Sequence, residues 1–231
     1  MTQHKQDIEP IKASTLSTFE WNPVDAFIEH LKEIGDPRVE STAKDSEALR
    51  KGEEAHGKSF GLLVSVKSED TGDEILENMK AEWATAINYG DYQIQGAPDT
   101  VVVDRDTVRV EDMKTTGWDD REFWEEHQLP PAEFQVQIYS WMLSHVPDVT
   151  VENPRINVKQ REDGEVTDWF THEVEYNREA VEERLDHVLS MLEQPTELPP
   201  LRPDEDWKSD YWDEFISLAL SNDGQQTLGE Y

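Results

Sequence analysis

Two aspartates and one lysine with the chemistry of a metal-assisted hydrolytic site occur between residues 94 and 116, in a stretch that reads as a β-hairpin. If the hairpin turns directly after Arg105, Asp99 lies opposite Asp112 on one face. Lys114 follows on that face. Two opposed carboxylates repel each other and lose solvation, so a cation must compensate them. Mg²⁺ or Mn²⁺ prefers such oxygen ligands, and Lys114 would stabilise charge developing on a phosphate.

The remainder of this hairpin face is apolar, as expected for strands that bury one side against a core. It carries four valines, Val101, Val103, Val108 and Val110. Two other interpretations remain open at this point. The register could be shifted, or Lys114 could bridge two acids at the rim of the sheet without binding any metal. Glu111 lies next to the site residues in sequence but on the opposite face.

The elements around the hairpin predict an α/β fold with a mixed central sheet flanked by helices. Period-two patterns predict strands at 91–96, 100–104, 107–114, 155–160 and 166–174. Helical spacing predicts helices at 20–37, 45–66, 72–90, 129–146, 177–193 and 209–220. In the first of these, Asn22 is expected to cap the helix, Pro23 to begin it and Gly35 to end it. We expect one domain from 14 to 220, between flexible segments at 1–13 and 221–231.

The charge of the chain is strongly negative. The 231 residues include 52 Asp and Glu against 21 Lys and Arg, which gives a formal net charge of −31. Acids spread over the whole chain favour a surface that stays solvated in concentrated salt, because self-repulsion is screened there. The alternative is an acidic partner-binding protein or a nucleic-acid mimic. There are no cysteines, which excludes disulfides and thiolate metal sites.

Four short motifs resemble those of the RecB-like branch of the PD-(D/E)XK nuclease superfamily. "GAPD" followed by "EDMK" looks like the superfamily signature, which contains Asp99, Asp112 and Lys114. "GEEAH" is similar to the Gly-x-x-x-His helix of that branch, and "QVQIY" to its Gln-x-x-x-Tyr helix. The resemblance extends from about residue 14 to about 220 and implies a restriction-endonuclease-like core.

The resemblance also implies roles for further residues. His56, one helical turn after Gly52, would join Asp99, Asp112 and the main-chain carbonyl of Met113 as a metal ligand. Gln135 and Tyr139 are four residues apart on one helix and would orient Lys114 or the DNA backbone. A surface or core histidine and a polar helix edge are the alternatives for these residues, and Gln137 replaces Gln135 if the helix is rotated.

One departure from the resembled family concerns an iron–sulfur cluster. Many RecB-like relatives, including a CRISPR-associated group, hold such a cluster on four cysteines near the two ends of the domain. Here Asn22 stands at the first position, and Ser209, Trp212 and Leu218 stand roughly at the others. We therefore expect Mg²⁺ or Mn²⁺ but no iron–sulfur cluster. Packing among tryptophans, Trp21, Trp207 and Trp212, would join the two ends instead.

These observations predict a divalent-metal-dependent DNA nuclease that acts as an exonuclease on DNA ends or single strands. Any helicase or recombination partner would be a separate chain, and DNA repair, recombination and viral or CRISPR DNA processing remain open. The alternative is an inactive acidic binding module on the same fold. We expect a cytoplasmic protein without a membrane span, in a high-salt cell or its virus. Trp118, Phe123 and Trp124 are expected on a loop, either stacking on DNA or packing on a helix.

Overall fold

The computed structural model describes residues 8–19, 22–36, 65–68, 86–162 and 165–193, and for 65–68 and 162 it describes the backbone only. The strands in this part of the chain are β1 (Glu9–Lys12), β2 (Ser65–Ser68), β3 (Ala86–Tyr89), β4 (Tyr92–Gln95), β5 (Thr100–Asp104), β6 (Thr107–Thr116), β7 (Thr150–Val151), β8 (Arg155–Glu162) and β9 (Glu165–Glu173). The helices are α1 (Ala13–Thr18), α2 (Pro23–Glu33), α3 (Arg121–His127), α4 (Leu129–Leu143) and α5 (Arg178–Glu193).

The larger sheet has the strand order β2-β5-β6-β8-β9, and the short β7 pairs with the beginning of β6. β2 runs parallel to β5, and β6 runs parallel to β8. The other neighbours, β5 with β6 and β8 with β9, are antiparallel hairpins. α4 packs on β6 and β8, with α1, α3 and α5 beside it. The predicted fold class, α/β with a mixed sheet flanked by helices, is therefore confirmed.

A second, smaller sheet has the order β1-β4-β3. The predicted helix over 72–90 is wrong at its end, because residues 86–89 form β3. This strand pairs with β4 across a tight turn at Gly90, whose φ is +58°. Gly90 followed by Asp91 is typical of a hairpin turn, which contradicts the helical spacing of the residues before it. β1 was not predicted, since its residues were assigned to the flexible N-terminal segment. It runs parallel to β4, with Lys12 opposite Gln95.

Two other sequence predictions need correction in the larger sheet and next to it. The predicted helix over 45–66 is wrong at its end, because β2 begins at Ser65 and pairs with the buried β5. Phe123 and Trp124 lie in α3 and not on a loop, because Asp120 caps this helix by accepting a hydrogen bond from the Phe123 N–H at 3.1 Å. The rest of the helices predicted at 45–66 and 72–90, and all of the one at 209–220, lie outside the described residues.

The predicted features of α2 are confirmed. The Asn22 side chain accepts a hydrogen bond from the Asp25 N–H at 3.2 Å, Pro23 is the first helical residue, and Gly35 has a left-handed φ of +69° after the helix ends. Asn22, at a position where the resembled family has a cysteine, thus serves as a helix cap. Among the described residues, no helix is sufficiently long and apolar to cross a membrane.

Candidate active site

The β5–β6 hairpin has the register predicted from the sequence. Val101 pairs with Val110 and Val103 with Val108, and the turn contains Arg105 and Asp106. All four valines are at most 1% exposed and belong to the core. Because side chains alternate along a strand, Asp112 and Lys114 continue the face of Val108 and Val110. The alternative of a shifted register is thereby excluded.

Asp99 and Asp112 lie together at the end of this apolar face. Asp99 directly precedes β5, and its Oδ2 accepts a hydrogen bond of 2.8 Å from the N–H of Met113, the neighbour of Asp112 on β6. The Asp99 carboxylate therefore adds a side-chain hydrogen bond between the two strands, beyond the last main-chain pair of the hairpin. Asp112 is only 4% exposed, so its carboxylate is held at the edge of the core. The two aspartates therefore lie at neighbouring positions at the end of the hairpin, as the predicted register requires.

Lys114 connects the sheet to helix α4. Its Nζ lies 2.8 Å from Oδ2 of Asp112 and donates a hydrogen bond of 2.6 Å to Oε1 of Gln135. An ammonium group has three N–H donors, so the hydrogen bond to Gln135 and the ion pair with Asp112 leave a donor for a further acceptor. The side chain of Lys114 is 29% exposed, and it also lines an open cavity. A phosphate oxygen entering this cavity would meet a lysine whose position is already fixed.

Helix α4 presents Gln135, and not Gln137, to the site. The Gln135 amide accepts from Lys114 and donates from Nε2 to Oη of Tyr139 at 2.8 Å. Gln137 lies on the other side of the helix, where it donates to the Glu175 carbonyl and accepts from Nη1 of Arg184. The rotation that the sequence left open is therefore settled. Asp112, Lys114, Gln135 and Tyr139 form one continuous series of polar contacts.

Tyr139 is kept protonated by its surroundings. Burial raises the pKa of its phenol, and the negative charges of Asp112 and Asp99 raise that pKa further, while the hydrogen bond from Gln135 lowers it in part. At neutral pH the phenol therefore keeps its proton and is not a base, while its Oη accepts the hydrogen bond from Gln135.

Gly96 is a site-supporting residue that the sequence analysis missed. A Cβ atom at this position would lie 2.7 Å from Cε1 of Tyr139 and 3.2 Å from Cβ of Ala13. Real Cβ atoms do not approach other carbons so closely, so only glycine permits the Tyr139 ring to lie against this segment. β1 brings Ala13 to this point by pairing with β4. A single sequence gives no signal for such a contact between distant segments.

The remaining predicted residues have different outcomes. Gly52 and His56 lie outside the described residues, so the predicted histidine ligand stays a prediction. Glu111 is on the opposite face, as expected, and its Oε1 lies 3.2 Å from Nη2 of Arg109. Trp124 is 2% exposed and packs edge-to-face on Phe170, which supports the packing interpretation for this residue. Phe123 is 40% exposed and stacks on His127.

The residues present suit a hard divalent cation, although the described part of the chain has no group of three or more His, Asp and Glu side chains placed to bind one. Mg²⁺ usually keeps several waters and binds proteins through one or two carboxylates together with substrate phosphate. Asp99 and Asp112 provide two carboxylates of this kind. Lys114 offsets one of the two negative charges, and a bound cation would offset the other.

The solved structures that this chain is similar to are distant from it in sequence. No protein-family model and no curated protein matches the chain. The crystal structure of SSO0001 is 14% identical with a TM-score of 0.44, and the likeness covers 94% of this chain and 88% of that one. A "Putative exonuclease" from Eubacterium rectale is 13% identical with a TM-score of 0.48, and 92% of each chain is covered. At these identities and scores, we assign neither family nor activity from the likeness.

Proposed function

We propose that this protein is a divalent-metal-dependent nuclease that hydrolyses phosphodiester bonds in DNA. The observation that carries the proposal is the position of Lys114, which is fixed between the Asp112 carboxylate and the Gln135 amide at the end of an apolar face. A lysine held beside paired carboxylates suits the stabilisation of negative charge on a phosphate under attack. The resemblance of these residues to the RecB-like motifs supports the same reaction.

In the proposed reaction, Asp99 and Asp112 hold the metal, with His56 and the main-chain carbonyl of Met113 as further ligands implied by the resemblance. The bound ion would polarise the scissile phosphate and lower the pKa of a water molecule. Lys114 binds the phosphate through its remaining donor. Gln135 fixes Lys114, and Tyr139 fixes Gln135 through its Oη. The roles of these two residues are positional.

DNA binding by a chain with a net charge of −31 requires a source of affinity other than surface cations. Many of the arginines that the structure describes already form ion pairs with acidic side chains. The pairs are Arg109–Glu152, Arg121–Glu125, Arg155–Glu173 and Arg178–Glu182. Metal ions and base stacking, which contributes ~1–3 kcal/mol per base, depend less on the charge of the protein. We therefore propose activity on single strands or DNA ends, where bases are accessible.

The proposed cellular environment follows from the acidic composition of the chain. The acidic surface suits a concentrated-salt cytoplasm, where a nuclease for DNA repair, recombination or viral and CRISPR DNA processing would act with Mg²⁺ or Mn²⁺. A helicase or recombination partner would supply DNA ends from a separate chain. The rival proposal is an acidic binding module without catalysis. The polar series from Asp112 to Tyr139 favours the enzyme, because a binding module has no need to fix a lysine beside two carboxylates.

The test is a nuclease assay in molar KCl with Mn²⁺ or Mg²⁺ on end-labelled single-stranded and duplex DNA. Lys114→Ala is compared with Lys159→Ala as a matched control. Lys159 also lies on a strand and pairs with an aspartate, with Nζ 3.4 Å from Asp168 Oδ1, and its side chain is 22% exposed. Both variants lose one positive charge, so a general effect of charge would appear in both.

We expect metal-dependent cleavage that Lys114→Ala reduces at least ~100-fold, the scale on which removal of one charge-stabilising donor acts. Lys159→Ala should retain the activity of the unchanged protein. A ladder of products shortened from one end would identify an exonuclease and give its polarity. A folded protein that binds DNA but cleaves none under any metal and salt condition would favour the binding module.

A further inference from the structure

A cavity of about 260 Å³ opens beside Lys114 and has an uncharged lining apart from that lysine. Its walls come from α1, the end of β6, and helices α3 and α4: Ser14, Ser17, Thr18, Lys114, Thr115, Trp124, Gln128, Pro131, Ala132 and Gln135. No Asp or Glu is among these lining residues, although 52 of the 231 residues of the chain are acidic. The Nζ of Lys114 is already directed at Asp112 and Gln135. The cavity is therefore suited to a neutral group attached to a phosphate.

The cavity combines an apolar floor with polar walls. Trp124, Pro131 and Ala132 provide the apolar surface, and Trp124 and Ala132 are 2% and 4% exposed. The Gln128 side-chain amide adds one donor group and one acceptor group. The volume is just below the ~300–1,000 Å³ of most ligand pockets, which suits a single planar ring system. A nucleobase has this combination of apolar faces and a polar edge.

The wall formed by α1 includes the side chains of Ser17, which is 4% exposed, and Thr18. Ser17 Oγ and Thr18 Oγ1 both donate to the main-chain carbonyl of Ser14, at 2.8 and 2.9 Å. Each hydroxyl has one donor hydrogen, so these bonds leave only oxygen lone pairs for a ligand. Adenine and cytosine carry an exocyclic amino group with two N–H donors, whereas thymine presents a carbonyl oxygen at the corresponding position. Two neighbouring acceptors match the amino group and repel the carbonyl.

We infer that this cavity binds the base next to the phosphate held by Lys114, and that it prefers adenine and cytosine, which have an amino group where thymine has a carbonyl oxygen. The choice of DNA as the ligand rests on the proposed nuclease function. The preference itself rests on the hydrogen bonds that Ser17 and Thr18 donate to the Ser14 carbonyl. The inference predicts that the protein discriminates between bases at one position of the DNA, where it favours adenine or cytosine over thymine.

The experiment measures binding without cleavage. Fluorescein-labelled hexamers of deoxyadenosine and of unsubstituted purine deoxyriboside, which differ only in the 6-amino group, are titrated by anisotropy in molar KCl with EDTA. The proteins compared are the unchanged chain, Ser17→Ala, Thr18→Val and Ser190→Ala. Ser190 is a matched control because its Oγ also donates to a carbonyl three residues earlier, that of His187, at 2.7 Å on the exposed side of α5.

For the unchanged protein and Ser190→Ala, we expect the adenine hexamer to bind roughly three- to tenfold more tightly, the effect of one or two hydrogen bonds. That ratio should fall towards one in Ser17→Ala and Thr18→Val. A ratio of one in the unchanged protein, or an equal ratio in all four proteins, overturns the inference. Thermal unfolding of each variant checks that the fold is intact, and Thr18→Val keeps the side-chain shape if Ser17→Ala unfolds.

The two proposals can fail separately. DNA cleavage that depends on Lys114, without any amino-group preference, would leave the nuclease in place and remove the base pocket. An amino-group preference that depends on Ser17, in a protein without cleavage, would leave the base pocket in place and favour the binding module.

Discussion

Nζ of Lys114 donates a 2.6 Å hydrogen bond to Oε1 of Gln135, so a side chain of the central sheet is held by a side chain of the helix that covers it. This contact spans 21 residues of sequence. A hydrogen bond to a charged group contributes ~1.5–3 kcal/mol, more than a neutral one. Lys114 would otherwise have only the Asp112 carboxylate to fix its direction. The contact therefore determines where the ammonium points.

The first prediction concerns this contact. Gln135→Ala should lower kcat roughly 10- to 100-fold, the rate equivalent of losing one charge-assisted hydrogen bond, with little change in KM. Gln137→Ala is the control, since Gln137 bonds the Glu175 carbonyl and Arg184 on the other side of α4. It should destabilise the fold without reducing kcat. Equal losses of kcat in both variants would show that the helix, and not Lys114, is affected.

Gln135 and Gln137 also illustrate what the sequence could decide. The strand face of Asp99, Asp112 and Lys114 was predictable, because the period of two places these residues on the same side as the four valines. The pairing register itself comes from the structure. The rotation of helix α4 was not predictable in this way. Two glutamines two residues apart both flank the apolar stripe, and periodicity alone does not say which one faces the sheet. The contacts of each amide in the folded chain supply that choice.

Other features depended on contacts between secondary-structure elements. β3 was assigned to a helix because its spacing continued a helical pattern, whereas pairing with β4 determines its structure. Gly96 looked like an ordinary strand-ending glycine, and only the position of the Tyr139 ring gives it a role. Pairing and packing between separate elements, which a local pattern does not contain, decided both.

A second prediction follows from Gly96. Gly96→Ala should lower the free energy of unfolding by ~1–3 kcal/mol, because the new methyl group overlaps the Tyr139 ring. The displaced ring also withdraws its hydroxyl from Gln135, so activity should fall with stability. Urea denaturation measures the first effect and the nuclease assay the second. Gly117→Ala is the control, since the nearest atom to a Cβ there is 3.9 Å away, and it should change stability by less than ~0.5 kcal/mol.

A double-variant cycle separates overlap from backbone strain at Gly96. In a Tyr139→Leu background, the cost of Gly96→Ala should be smaller, with an interaction energy within the ~0.5–3 kcal/mol seen for residues in contact. The same cost in both backgrounds would contradict the overlap and point to the main chain at Gly96 itself.

The third prediction concerns the metal. Saturating Mn²⁺ should stabilise the folded protein, by about 2.7 kcal/mol at a free concentration of 100 times Kd. The double variant Asp99→Asn with Asp112→Asn should lose this stabilisation, because amides are poorer ligands than carboxylates for hard cations. The amide oxygen introduced by Asp99→Asn can still accept from the Met113 N–H, so the fold should persist. Chemical denaturation with and without MnCl₂ provides the measurement.

The control for the metal prediction is Asp168→Asn. Asp168 has a side chain that is 92% exposed and lies on β9, away from the hairpin end. Its variant should keep the full Mn²⁺ effect. Stabilisation by Mn²⁺ that survives in the Asp99 and Asp112 double variant would place the metal elsewhere in the chain.

The fourth prediction uses the raised pKa of Tyr139. Below the ordinary phenol pKa of 10.0, the side chain is protonated in both the folded and the unfolded chain and adds no pH dependence. Above that pH, the unfolded chain loses the proton while the buried phenol keeps it. The unfolded state then binds fewer protons, so the free energy of unfolding must fall as the pH rises. Tyr139→Phe removes this contribution.

The stability difference between the unchanged protein and Tyr139→Phe should therefore be constant between pH 7 and 9 and shift against the unchanged protein above pH 10. Tyr89 and Tyr92, whose pKa values are raised to about 12, titrate in both proteins, so the difference removes their contribution. Because Tyr139 stays protonated at neutral pH, its variant should also leave the basic limb of the pH–rate profile in place. A basic limb that disappears in Tyr139→Phe would make the phenol a proton-transfer group and contradict its positional role.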